Sequence, residues 1–143
     1  MGHGIIGILC GGKIIKLDLI RGRIYITNAK YNAFTWPLMH VGGVLLPCVI
    51  LLLLIFTYRS NLESQLYHFI HGFFATAVIS SLLVWIIMPL CPICILPKNE
   101  DVTKFMISSK IHPFMISLAA LLLFLGLISL SIYKGFFDVY LHA

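Results

Sequence analysis

Residues 31–58 read YNAFTWPLMHVGGVLLPCVILLLLIFTY and contain no Asp, Glu, Lys or Arg. Two further stretches without these charged residues separate Glu63 from Lys98 and Lys110 from Lys134. Because about 20 apolar residues cross the hydrocarbon core of a bilayer, each stretch is long enough for one transmembrane helix. We therefore predict an all-α integral membrane protein. Its three transmembrane helices are expected near residues 38–57, 69–90 and 113–133.

The composition of the whole chain agrees with a membrane protein. Of its 143 residues, 60% are hydrophobic and 10% are charged. Soluble domains are about a quarter charged, and a chain this short could not bury so much apolar surface in water. These values exclude a soluble enzyme, a disordered tail and a nucleic-acid-binding module. Since the sequence also has no GxSxG, HExxH, P-loop or paired-carboxylate motif, we predict no catalytic residues and no metal site.

The charged residues predict how the helices are oriented. The segment before the first helix carries a net charge of +4, and the loop after the second helix carries +1. Three crossings put both on the same side, which therefore holds the entire net charge of +5. By the positive-inside rule, that side, with the N-terminus, is the cytoplasm or the mitochondrial matrix. Phospholipid headgroups are sufficient partners for this basic segment, so we expect no nucleic acid.

Residues 1–35 are predicted to form a segment of their own on this side, ahead of a transmembrane domain at residues 36–143. Apolar residues alternate with polar ones on both sides of Arg21-Gly22, which is typical of a β-hairpin. An isolated hairpin is barely stable in water, so we expect this one to dock on a partner subunit. An irregular segment lying on the lipid headgroups is the alternative interpretation.

Cys91 and Cys94 form a CxxC motif after the second helix. The pair could be a redox dithiol, although the chain has no second such pair to pass electrons on. It could also supply half of a zinc site, with His112 as a third ligand, but structural zinc takes four ligands. The third interpretation involves no chemistry, because three prolines between residues 89 and 97 are enough to end the helix.

Histidines in the spans are the candidate binding residues, because an ionisable group inside a membrane is usually functional. His40 lies near the positively charged end of the first helix, beside Gly43, where a small residue allows close approach of a helix or a ligand. His71 shares a face of the second helix with His68. Imidazole can bind haem or donate to a quinone carbonyl. Interfacial histidines that face the headgroups are the alternative.

The stretch Pro37–Val44, PLMHVGGV, resembles the Ser-x-x-His-Arg-x-x-Gly signature of the large membrane-anchor (cytochrome b) subunit of succinate dehydrogenase, respiratory complex II. That family also has three helices in a chain of this length. The loop Asn61–Ser64, NLES, is similar to the Asn-Phe-Glu-Ser run of some animal members, and Pro89-Leu90 matches a Pro-Leu pair in their second helix. Val41 stands where the signature has Arg.

The resemblance implies a non-catalytic subunit that anchors the dehydrogenase subunits on the mitochondrial inner membrane or a bacterial inner membrane. An iron–sulfur subunit and a second membrane anchor are the implied partners. The resemblance also implies a share in a ubiquinone site, with His40 as the one residue carried over from the family. Trp36 and Gly43 are further quinone candidates because of their positions near His40. The family's haem-ligating histidine, late in the second helix, has no counterpart here, and His71 is the candidate ligand if a haem b is bound. The alternatives are an accessory subunit of another respiratory complex, without its own site, and a thiol oxidoreductase that uses the CxxC pair.

Overall fold

A computed structural model of the protein describes residues 2–18, 23–59, 65–91 and 100–138. The elements in chain order are α1 (Gly2–Leu9), β1 (Lys13–Asp18), β2 (Arg23–Thr27), α2 (Thr35–Thr57), α3 (Gln65–Ile87), α4 (Asp101–Ser109) and α5 (Pro113–Tyr133). A 3-10 turn, Met88–Leu90, continues α3. Three helices within the described ranges are long and apolar enough to span a membrane. α2 has 23 residues and a mean hydropathy of 2.6, α3 with its turn has 26 residues and 2.2, and α5 has 21 residues and 2.5. The prediction of three membrane-spanning helices is therefore confirmed, and the chain is a multi-pass membrane protein.

The start of α2 shows why the predicted boundaries shift by a few residues. The side-chain Oδ1 of Asn32 accepts hydrogen bonds from the backbone N–H groups of Phe34 and Thr35, at 2.9 and 2.7 Å. These bonds satisfy N–H groups that have no partner within the helix, and α2 begins three residues before the predicted position. α3 begins at Gln65, four residues early, whereas α5 has the predicted bounds.

The three spanning helices pack through one stripe of residues each. Buried positions recur mainly at intervals of three or four residues, which places them on one face of a helix. On α2 they are His40, Gly42, Val44, Cys48, Leu51 and Ile55. On α3 they are His71, Ala75, Val78, Leu82 and Trp85, and on α5 they are Ile116, Ser117, Ala120, Leu127 and Ser131. Only 28–33% of each span is buried within the chain, so lipid or other chains cover the rest.

A hydrogen bond and an aromatic contact tie α3 to its neighbours near the 3-10 turn. The hydroxyl of Ser117 on α5 donates to the backbone oxygen of Ile86, at 2.6 Å. The turn leaves such carbonyls without helical partners, because its hydrogen bonds reach back three residues instead of four. Trp85 is buried one residue earlier, and its ring centroid lies 5.4 Å from that of Phe105 on α4.

The two strands form the predicted hairpin. β1 and β2 pair antiparallel, with Leu17 opposite Ile24 and Ile14 opposite Ile26. A β-bulge between Ile14 and Lys16 adds one residue to β1. Since side chains alternate along a strand, the bulge brings Ile14 and Leu17 to the same face, together with the two isoleucines of β2.

The helix α1, which the sequence did not predict, lies between the hairpin and α2. A Cβ added at Gly4 would be 2.7 Å from Ile24, and one added at Gly7 would be 2.4 Å from Ile26, so the isoleucines of β2 pack on the glycines of α1. α1 also contacts α2, where a Cβ at Gly43 would be 2.6 Å from Nε2 of His3. Part of the apolar face that was expected to meet a partner subunit therefore packs on α1 of the same chain.

We expect Gly43→Ala to destabilise the protein, because the added methyl group would overlap the ring of His3. Such overpacking costs about 1–3 kcal/mol. Gly126→Ala is the matched control, since it also lies in a span and nothing is found within 4 Å of an added Cβ. Unfolding of both variants is followed by circular dichroism during titration of mild detergent micelles with SDS. Equal stability of the two variants would contradict the packing of α1 on α2.

Candidate functional site

Three polar side chains from three helices meet at one end of the bundle, which we call the α4 end. They are His3 of α1, His40 of α2 and Asp101, the first residue of α4. Nε2 of His3 lies 3.0 Å from Oδ2 of Asp101, and Nδ1 of His40 lies 3.3 Å from Oδ1 of the same carboxylate. Nδ1 of His3 is 2.6 Å from the backbone oxygen of Met39. We refer to His3, His40 and Asp101 as the His–Asp–His cluster.

The acceptors around His3 determine its protonation. A carboxylate and a backbone carbonyl only accept hydrogen bonds, so both ring nitrogens of His3 donate and the ring is a cation. The hydrogen bond to Asp101 raises the pKa of His3 above its ordinary value, against the effect of burial. Burial alone would raise the pKa of Asp101, but hydrogen bonds and charge from His3 and His40 outweigh it, and the pKa lies well below its ordinary value. His3 and Asp101 therefore form a pair of a cation and an anion.

His40 is 3% exposed, and its Nε2 has no hydrogen-bond partner among the described residues. Since the carboxylate of Asp101 accepts at Nδ1, a neutral His40 carries its proton on Nδ1 and a lone pair on Nε2. A buried polar atom without a partner is uncommon in folded proteins. The Nε2 atom is therefore the buried atom of this cluster that is left without a hydrogen-bond partner among the described residues.

Trp36 and Gly43, the other predicted quinone residues, both lie close to His40. The ring of Trp36 contacts His40 edge to face, with centroids 5.1 Å apart, and the Trp36 side chain is 44% exposed. Gly43 faces the ring of His3 instead of an open space. The sequence left open whether a helix or a ligand approaches this glycine, and the structure shows that the helix α1 does so.

An apolar cavity of about 360 Å³ lies between α2, α3, α4 and α5 at the same end of the bundle. It is lined in part by Val41, Val44, Trp85 and Phe105. Val44 follows His40 by four residues, so it lies one turn farther along the same face of α2. The cavity is of the size that small-molecule ligands occupy, and its mainly apolar lining suits hydrocarbon better than a polar ring.

His71 lies at the opposite end of the bundle, which we call the Tyr58 end. It is 4% exposed, and its Nδ1 donates to the backbone oxygen of Tyr67 at 2.8 Å. The rings of Tyr67, Tyr58 and Phe136 surround it, with centroids at 4.1, 5.5 and 6.0 Å. Its Nε2 has no partner among the residues that the structure describes. A fixed Nδ1 and an unpaired Nε2 are typical of ligating histidines.

Haem ligation by His71 stays a prediction from the sequence. A cavity of about 460 Å³ opens at the Tyr58 end, but His71 is not among the residues that line it. Within the described ranges, no group of three His, Cys, Asp or Glu side chains could hold a metal ion. Cys91 is a free thiol, and Cys94 lies outside the described residues, so the hypotheses on the CxxC motif remain open.

Comparison with known proteins adds no assignment to this geometry. No family model, no curated protein and no solved structure matches the chain. Its function must therefore be inferred from the two histidine environments and from the sequence.

The pairing of His3 with Asp101 should make the stability of the protein depend on pH. The pKa of His3 is higher in the folded than in the unfolded protein, so protonated His3 stabilises the fold fully below pH 6.5. This stabilisation is lost as the pH rises through the pKa of the folded state. The pKa of Asp101 is lower in the folded than in the unfolded protein, so ionised Asp101 stabilises the fold above pH 3.8. This stabilisation is lost as the pH falls through the pKa of the folded state. The pair therefore contributes most between pH 3.8 and 6.5.

This dependence can be measured as the difference in unfolding midpoint between the wild type and Asp101→Asn, at about pH 5.5 and about pH 9. We expect the larger difference at the lower pH. Glu100→Gln removes a neighbouring exposed carboxylate and should give a small difference at both values. A difference for Asp101→Asn that does not change with pH would contradict the charge pairing.

Proposed function

We propose that the chain is a membrane-anchor subunit of a quinone-linked respiratory complex, complex II being the one that its sequence resembles. His40 contributes to the ubiquinone site of that complex. The observation that carries this proposal is the burial of His40 with an unpaired Nε2, on a helix whose following residues Val41 and Val44 line an apolar cavity. The isoprenoid tail of ubiquinone is a hydrocarbon, which suits the apolar lining of the cavity. The partly exposed ring of Trp36 offers a surface on which the quinone ring can pack.

The elements outside the spans support a docking role. The hairpin exposes Ile15, Leu17 and Tyr25, and the lysines of β1 are exposed among them. A mixed apolar and basic surface of this kind suits a soluble partner with acidic groups. We propose that it meets the iron–sulfur subunit on the matrix or cytoplasmic side, in the mitochondrial or a bacterial inner membrane. The exposed apolar faces of the spans would contact lipid and the second membrane anchor.

The proposal does not extend to haem b, because the rings of Tyr67, Tyr58 and Phe136 pack around His71. An accessory subunit without its own site is the second candidate. The nearly complete burial of His40 favours it, since a purely structural histidine is also buried.

The partners can be identified by purifying the tagged full-length chain from its own membranes in a mild detergent. We expect the flavoprotein and iron–sulfur subunits of succinate dehydrogenase and a second small membrane subunit to copurify. Mass spectrometry of the complex, with an unrelated tagged three-span protein as the control, identifies these chains. A chain that purifies alone would contradict the anchor role, and subunits of a different complex would favour the accessory role.

We expect His40→Ala to weaken the interaction of the assembled complex with its quinone or quinol, without preventing assembly. Loss of one hydrogen bond corresponds to a roughly 2- to 10-fold increase in KM. Steady-state kinetics in both reaction directions measure this effect. His112→Ala is the matched control, because His112 is an exposed histidine at the start of α5, where it caps the helix. Unchanged KM values in both directions would favour the accessory role.

A further inference from the structure

The hydrogen bonds of the His–Asp–His cluster determine which kind of group can bind at His40. We infer that Asp101 is a positioning residue that holds His40 with its proton on Nδ1, so that Nε2 accepts a hydrogen bond from a hydroxyl group. The site therefore binds a quinol, which carries ring hydroxyls, in preference to a quinone, which carries ring carbonyls. The identity of this ligand rests on the proposed function, whereas the position of the proton on His40 does not.

The first step of the inference concerns Nδ1 of His40. The only group within hydrogen-bond distance of this atom among the described residues is Oδ1 of Asp101. An ionised carboxylate has no proton to donate, so the proton of this bond must belong to His40. The tautomer of a neutral His40 is fixed in this way, in the same manner as a buried aspartate orients the histidine of a Ser-His-Asp triad.

The second step concerns the charge of the cluster. Both nitrogens of His3 donate, to Asp101 and to the carbonyl of Met39, so His3 is the cation that balances the carboxylate. Because His3 already balances the charge of the carboxylate, the bond from His40 to Asp101 requires only the Nδ1 proton of a neutral ring. Such a ring carries a lone pair on Nε2.

The third step concerns the ligand. A lone pair on Nε2 attracts a hydroxyl hydrogen and repels the oxygen of a carbonyl, which is itself an acceptor. A site whose buried polar atom stays unpaired binds the wrong analogue more weakly. We expect the quinol to bind roughly 10-fold more tightly than the quinone, which is the fold-change given by one hydrogen bond at this position.

Trp36 is the partly exposed neighbour of the buried ring of His40. Its ring contacts His40 directly, and it is partly exposed although it lies only one turn from a fully buried residue. Residues behind His40 on the same face of α2 are buried, beginning with Val44 beside the apolar cavity. The ring of His40 therefore lies between the partly exposed Trp36 and the residues of α2 that line the cavity, and His40 itself is not among the lining residues.

The tautomer is tested with the full-length chain in phosphatidylcholine nanodiscs, by NMR of ¹⁵N-labelled histidine rings. We expect a protonated Nδ1 and an unprotonated Nε2 for His40, assigned by their loss in His40→Gln. His112 is an internal reference of the opposite kind, because its Nδ1 accepts from the N–H of Phe114 at 3.3 Å. Asp101→Asn should make the His40 tautomer mixed, since an amide can also donate, and Glu100→Gln should leave it unchanged.

The ligand is tested by adding a short-chain ubiquinol or the matching ubiquinone to the same nanodiscs. We expect the quinol alone to shift the Nε2 resonance of His40 and to leave that of His112 in place. An equal shift with the quinone would overturn the inference. A hydrogen bond to Nε2 before any quinol or quinone is added would also overturn the inference, since lipid or protein would then supply the donor.

Failure of this inference and failure of the proposed function give different results. A proton on Nε2 of His40 in the wild type, or a tautomer that does not change in Asp101→Asn, overturns the inference even if the dehydrogenase subunits copurify. A chain that purifies alone contradicts the anchor role, while the NMR result on the tautomer stands by itself.

Discussion

The carboxylate of Asp101 is the constraint on which the α4 end of the molecule depends. The side chain of Asp101 is 45% exposed, so it loses part of its hydration, and two imidazole rings replace the hydrogen bonds to water that it gives up. His3 supplies the compensating charge and His40 supplies a second donor. Because these groups belong to three different helices, satisfying one carboxylate fixes the positions of α1, α2 and α4 relative to one another.

The spans and the hairpin could be predicted from the sequence, whereas α1 could not, and each case has a physical reason. A membrane requires an unbroken apolar stretch of fixed length, so gaps between charged residues were sufficient to locate the spans. The hairpin follows from alternation along two strands. α1 could not be predicted, because Gly4 and Gly7 lower the helix propensity of a very short segment. Those glycines are explained only by the fold, in which Ile24 and Ile26 of β2 pack against them.

The candidate site was predictable in part. The burial of His40 in an apolar span marked it as a candidate, but Asp101 lies 61 residues away and His3 carries no pattern that a single sequence reveals. The two partners meet only because α1 and α4 return to the start of α2. Gly43 illustrates the same limit, since the sequence shows that something approaches it and the structure shows that this is the ring of His3.

The two buried histidines look alike from the sequence but differ in what they can do chemically. Each donates from Nδ1 and leaves Nε2 unpaired within the described residues. The acceptor for His71 is a neutral backbone carbonyl, whereas the acceptor for His40 is an ionised carboxylate. A positive charge that develops on the ring during hydrogen bonding or proton uptake is stabilised by a carboxylate far more than by a carbonyl dipole. Interaction with a proton-donating ligand is therefore favoured at the α4 end, while the aromatic rings around His71 favour a packing role at the Tyr58 end.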